Sequence, residues 1–375
     1  MKPERLRAEL ATADAQGLRR RRVTVAGPQG PRLTIDGHEY RAFCSNDYLA
    51  LANHPALRAA AHAAIERHGL GAGASHLVCG HSELHARLED ALAEFSGFER
   101  ALLFSSGYAA NLSVLSALAG RDSEIFADRL NHASLYDGAL LARARLARYR
   151  HRDLDHLESL LARSRAADRF IVSDTVFSMD GDIAPLAALL ALAERHDAWL
   201  YLDDAHGFGV LPPGTVMPHP RLIYMATLGK AAGVSGAFVA ATADVIDVLV
   251  QRARPYIYTT AAPPLLAAAV LASLDLMRTE GDARRARLAA LVARLRGGIA
   301  SPRLLASTTP IQPFLLGSAQ AALAAAARLR SAGLWVPAIR PPTVPEGRAR
   351  LRISLSAAHT DADVDALRAA LDDLG

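Results

Sequence analysis

Lysine is nearly absent from this 375-residue chain. Lys2 follows the start methionine and Lys230 stands alone in the interior, so the 42 basic residues resolve into two lysines and 40 arginines. Arginine stays protonated at any pH a protein meets, whereas a lysine amine can shed its proton in a buried or positively charged setting and attack a carbonyl. Lys230 is therefore the one interior residue able to form a Schiff base; the alternative is a lysine that merely snorkels from a strand end. Cysteine is as scarce. Cys44 and Cys79 are too few for a disulfide framework and lack metal-ligand spacing. No apolar run reaches membrane-spanning length, since the best, Leu265 to Leu274, stops at Asp275. The opening residues Met1-Lys2-Pro3-Glu4-Arg5-Leu6-Arg7 have no apolar centre of a secretory signal, so the cytoplasm is the expected compartment and no membrane partner is expected.

A net charge of +4 and a pI near 9.3 raise the question of nucleic acid. Nucleic-acid binding wants a basic face interleaved with aromatics, but the arginines here are spread among Asp and Glu. The one dense run, Arg19-Arg20-Arg21-Arg22, has no aromatic neighbour and reads as a solvated helix end. Anionic small molecules are the better match for the positive field.

Apolar periodicity predicts a helix over residues 3–22, short strands around 32–35 and 39–43 flanking the turn Asp36-Gly37, and a helix from about His54 to His68. The small-sided stretch Gly69–Ser75 lets backbone approach a ligand or a partner, but it fails the dinucleotide fingerprint. A helix over 82–95 follows. Seven strand candidates then alternate with helices: 101–105, 124–127, 145–150, 170–173, 199–203, 222–227 and 236–241. Their mostly unalternated apolar runs suit strands buried on both faces, which gives an α/β class with a mostly parallel seven-stranded sheet flanked by helices. Beyond Thr260, helices near 263–279 and 282–295, strands near 314–316, 334–338 and 348–355, and helices at 318–330 and from Thr360 describe a smaller α+β domain. The division expected is an N-terminal arm over 1–45, a large domain over 46–265 and a C-terminal small domain over 266–375.

Ligands gather at the carboxyl ends of parallel strands. Ser105-Ser106-Gly107-Tyr108 lies between strand and helix, where backbone amides and a hydroxyl can hold a phosphate. Asp203, at the end of its strand with His206 three residues on, needs a positive partner, and a protonated pyridine nitrogen serves. A plain salt bridge or a metal site are the other readings, but no second ligand pair has helical or Cys-x-x-Cys spacing, and no metal is expected. Lys230 ends the next strand candidate. Phosphate cradle, carboxylate and amine together are the parts of a pyridoxal phosphate site. A P-loop ending at Lys230 fails on Tyr224 and Ala231, and Gly233-Val234-Ser235-Gly236-Ala237 is not a nucleophile elbow.

Ser45-Asn46-Asp47-Tyr48-Leu49, Ser106-Gly107-Tyr108-Ala109-Ala110-Asn111, Asn131-His132-Ala133-Ser134, Val176 to Asp182, Asp203 to Gly207 and Thr227-Leu228-Gly229-Lys230 occur in that order. With them the chain resembles the α-oxoamine synthases, fold-type I pyridoxal 5'-phosphate transferases that condense an amino acid with an acyl thioester and release carbon dioxide. Ala338 to Pro345 with Arg350-Leu351-Arg352 is most similar to the biotin-pathway member, which joins L-alanine to a pimeloyl thioester carried by coenzyme A or a carrier protein. A sister synthase using glycine or serine with another acyl group is the nearest alternative, and a cofactor-binding regulator without turnover is a more distant one.

The resemblance implies roles. Lys230 bonds the cofactor aldehyde and moves the α-proton; Asp203 keeps the pyridine nitrogen protonated; His132 stacks on the ring; His206 and Ser178 bond its phenolic oxygen. Gly107 and Tyr108 lie against the cofactor and Thr227 near its phosphate. Arg352 pairs with the amino-acid carboxylate, and Arg20 and Thr343 contact substrate, Arg20 being one candidate among Arg19 to Arg22. The family works as a homodimer with shared sites, so Thr260 reaches the neighbouring phosphate. Asp174 stands where the family pattern has glutamate, and Leu211 to Val216 is shorter than its counterpart.

Overall fold

The computed structural model describes residues 2–299 and 301–374. Its contacts divide it into two units: Leu51–Ser178 with Ile183–Asp282, and Met1–Ala50 with Met179–Asp182 and Ala283–Gly375.

In the larger unit seven strands form one sheet in the order Arg100–Phe104, Ala237–Ala241, Leu222–Thr227, Trp199–Asp203, Asp168–Asp174, Ser123–Asp128, Arg145–Tyr149. Ala237–Ala241 is antiparallel to both neighbours, and every other pairing is parallel. Two-sided burial explains the composition: Ala237, Phe238, Val239, Ala240 and Ala241 are all fully buried, as are Ile223, Met225 and Ala226. The helix Gly107–Leu118 begins where Ser106 Oγ accepts from the Ala109 amide at 3.1 Å, and it packs on Ala133–Ala142. That packing depends on Gly138, because a Cβ there would lie 2.9 Å from the Asn111 carbonyl oxygen. The helix Pro264–Thr279 packs on Pro55–His68 and Glu83–Ser96, which places it in the larger unit although residues from 266 onward were expected in the C-terminal one.

In the smaller unit Ile311–Gly317 and Ala338–Ile339 flank Ala349–Ser354, all antiparallel. Val25–Ala26, Arg32–Ile35 and His38–Ala42 form a meander that Leu334–Trp335 extends in parallel, so the N-terminal arm shares a sheet with this unit. The predicted single strand over 334–338 is two, in different sheets, because Pro337 offers no amide and its carbonyl accepts from Arg352 instead. The first helix ends at Ala15 rather than near 22. Gly17 takes a φ of 67° two residues later, and the arginine run that follows is outside any helix. There Arg19 and Arg21 both pair with Asp14, at 2.5 and 3.3 Å, while Arg20 turns the other way and donates to Thr343 Oγ1 at 3.1 Å.

Candidate active site

The parallel register sets Asp174 beside Asp203, and Asp203 beside Met225, at the carboxyl ends of three adjacent strands. A cavity opens there. It is lined by Gly107, Tyr108, His132, Ser178, Asp203, His206, Thr227 and Lys230, eight of the residues singled out by sequence, together with Asn111, Asp174, Val176, Ala205 and Met225. Thr260 lies elsewhere, on a second cavity with His76, His85 and Tyr256, where it bridges Ser75. Arg20, Thr343 and Arg352 belong to the smaller unit.

Lys230 ends the turn after Leu222–Thr227, and its Nζ is 3.1 Å from His206 Nε2. Asp203 is 5% exposed. Its Oδ2 accepts from Asn111 Nδ2 at 2.7 Å and its Oδ1 from the Ala205 amide at 3.0 Å, both neutral donors, so its charge is left for a cation in the cavity. Asn111 is itself fixed: Tyr201 donates to its Oδ1 at 2.5 Å, and its Nδ2 also reaches Ser134 Oγ at 2.7 Å. Ser134 Oγ in turn meets His132 Nδ1 at 2.7 Å. One chain of hydrogen bonds, buried up to Ser134 and open at its His132 end, thus joins Tyr201, Asn111, Asp203, Ser134 and His132. Asn111 lies in the motif Ser106 to Asn111 without a predicted role, and its position one turn after Gly107, on the same helix face, is the signal the sequence holds.

Two carboxylates side by side cannot both ionise cheaply. Burial, and then the charge of Asp203, push Asp174 well above the usual carboxylate range, while its Oδ1 accepts from the His132 amide at 3.3 Å. Burial lowers the pKa of His132, with the Lys230 charge adding to the effect and Asp203 opposing it. Asp204, on the other face of the strand end, accepts from the Tyr224 hydroxyl at 2.7 Å, and burial pushes it up to about 7.

The residues fit pyridoxal 5'-phosphate. A Cβ on Gly107 would sit 2.6 Å from Thr227 Cγ2, so only glycine keeps the cradle at the helix start open. The first-turn amides there supply donors for a phosphate. Asp203 suits a pyridinium nitrogen, and Lys230 an aldehyde carbon.

A model of the aminotransferase class I and II family matches residues 40–371. The 8-amino-7-oxononanoate synthase of Nitrosomonas eutropha is 60% identical over 371 residues, 96% of each chain. The chain belongs to the 8-amino-7-oxononanoate synthases. It is an acyltransferase dependent on pyridoxal 5'-phosphate. A solved 8-amino-7-oxononanoate synthase from Francisella tularensis is 32% identical, with a TM-score of 0.76 over 89% of this chain and 96% of that one. A serine palmitoyltransferase from S. paucimobilis, bound to a pyridoxal phosphate adduct of myriocin, superposes with a TM-score of 0.91 at 28% identity, over 99% of this chain and 97% of that one. The fold is therefore shared with a serine palmitoyltransferase, and sequence identity carries the finer assignment. Among the described residues no helix is long and apolar enough to cross a membrane.

Proposed function

We propose that this protein condenses L-alanine with a pimeloyl thioester, carried by coenzyme A or a carrier protein, to give 8-amino-7-oxononanoate, carbon dioxide and free thiol in biotin biosynthesis. The observation that carries the reading is the cavity holding the one interior lysine beside His206, with the buried Asp203 donor-lined at its base. Bound pyridoxal phosphate supplies an aldehyde and an electron-withdrawing ring. Lys230 would hold that aldehyde, and its amine would take the α-proton of alanine and later return it. His206, 3.1 Å away, and Ser178 orient the ring's phenolic oxygen and the amine. Asp203 would keep the pyridine nitrogen protonated, His132 would stack on the ring, Gly107 and Tyr108 would sit against the cofactor, and Thr227 would lie near its phosphate.

In the smaller unit Arg352 is the partner for the alanine carboxylate. It is 5% exposed, with Nη1 2.8 Å from Ser354 Oγ and 3.2 Å from Asn46 Oδ1, and Nη2 3.3 Å from the Tyr48 hydroxyl, so these oxygens help to hold its fork. Its neighbour Arg350 is instead committed to Asp180 at 2.7 Å. Arg20 with Thr343 takes the acyl substrate; of the four-arginine run, Arg20 is the one bonded to Thr343 while Arg19 and Arg21 pair with Asp14.

The working form in this reading is a cytoplasmic homodimer in which Thr260 serves the neighbouring phosphate. Exposed apolar side chains support it: Leu70, Val78 and Tyr258 are 70%, 77% and 71% exposed. The test is product analysis with pimeloyl-coenzyme A and alanine, glycine or serine side by side. Amino ketone and carbon dioxide from alanine alone support the reading; preference for glycine or serine replaces it with a sister synthase.

A further inference from the structure

Two histidines, His76 and His85, line the second cavity and have no role in the proposed reaction. His76 begins the π-helical turn His76–Gly80, His81 follows that turn, and His85 is the third residue of the helix Glu83–Ser96. One ring nitrogen from each lies within 4.8 Å of the other two. We infer that His76, His81 and His85 form a site for a divalent transition-metal cation of the zinc class, apart from the Lys230 cavity.

The geometry is close to what such a cation needs. Nδ1 of His76 and Nδ1 of His81 are 2.9 Å apart. Two imidazole nitrogens on one tetrahedral zinc, each bonded at about 2.0–2.1 Å, stand about 3.3 Å apart, so a cation in place of the shared proton asks for a small opening. The outer nitrogen of His85 has the kind of partner that orients a metal-bound imidazole. His85 Nε2 is 2.8 Å from the Ala262 carbonyl oxygen, which makes it the N–H and leaves the Nδ1 lone pair for the metal. That lone pair now accepts from the Ser82 amide at 3.0 Å and lies 2.9 Å from Ser82 Oγ, and the cation replaces those donors. His81 Nε2 is 3.8 Å from Glu89 Oε2, a carboxylate behind the ligand. The His76 ring is held by stacking on Tyr256 at 4.9 Å. Three imidazoles with no thiolate favour zinc, cobalt, nickel or copper over magnesium or calcium, and water completes the shell. Bound there, the cation ties the turn His76–Gly80 to the helix after it, next to the Ser75–Thr260 bridge and the Ala261 amide donating to Ala74.

The experiment uses the untagged holoenzyme, stripped with a chelator and dialysed against cobalt(II) or zinc. One metal per chain is expected by elemental analysis, with cobalt d–d bands to the red of the cofactor's absorption. His76→Gln and His81→Gln, each checked for fold by circular dichroism, should weaken binding at least ~10-fold. His85 is left intact because it also caps its helix. Absence of retained metal in the wild type overturns the proposal, as does undiminished affinity in both folded variants.

Discussion

The Lys230 cavity and the histidine cluster are both groups of titratable side chains crowded out of water, and they solve the crowding in opposite ways. The cavity mixes signs and kinds. Asp203 is anchored by Asn111 and Ala205, Asp174 beside it is driven toward its neutral form, and the amine of Lys230 stands near both. The histidine cluster has one kind of group, and burial lowers all three pKa values, His76 to about 4 with His85 and His81 adding to the effect. Mixed groups can hold different protonation states at one pH, which proton transfer requires; like groups all become neutral, which metal ligation requires.

The largest effect expected is from Lys230→Ala. Product formation from alanine and pimeloyl-coenzyme A should fall about 10⁴-fold, since nothing else in the cavity is an amine. Next come the two neighbouring aspartates. Asp203→Asn removes a working charge and should lower kcat ~10²–10³-fold. Asp174→Asn replaces a carboxyl held neutral by its isostere and should cost less than about 10-fold. Equal losses would erase the proposed division between them. Asn111→Ala deletes one donor to a charged carboxylate, a hydrogen bond of the class worth about 1.5–3 kcal/mol, and should loosen cofactor retention measurably by absorbance after dialysis.

The smallest effects are on the pH dependence of stability, and here the two regions differ in sign. Asp204, facing Tyr224 and beside Asp203, has a folded pKa of about 7 against a usual 3.8. The folded state then holds the extra proton, so its contribution falls as pH rises from about 4 to 7. For His76 the unfolded state holds the extra proton between about 4 and 6.5, so stability rises with pH across that window. Chemical denaturation at several pH values should show Asp204→Asn flattening the first slope and His76→Gln the second.

Most of the large sheet was legible because its strands are buried on both faces and read as unbroken apolar runs; Leu222–Thr227 and Trp199–Asp203 have the boundaries expected. Lys230 and Asp203 were legible because each residue type is chemically conspicuous where it stands, whereas His132 came only with the family resemblance. Asn111 was not legible, since an amide's value here depends on Tyr201 and Asp203 meeting it in space. The expectation that no ligand pair has helical spacing does not hold for His81 and His85, which stand four residues apart, while His76 lies five residues before His81 across the π turn His76–Gly80. The first helix is shorter than its charge pattern predicts because Gly17, at positive φ, closes it before Arg19 to Arg22.

The strand Ala237–Ala241 has a consequence for biosynthesis. Within the large sheet, Arg100–Phe104 has it as its only neighbour, although more than a hundred residues of chain separate the two. On the ribosome, the turn that begins at Ser105 therefore stays unattached to the growing sheet until the Ala237 segment has emerged and slotted in. The seat for the phosphate and the strand leading to the reactive amine become parts of one surface only then, so loading of the coenzyme is a late event in the life of the nascent polypeptide.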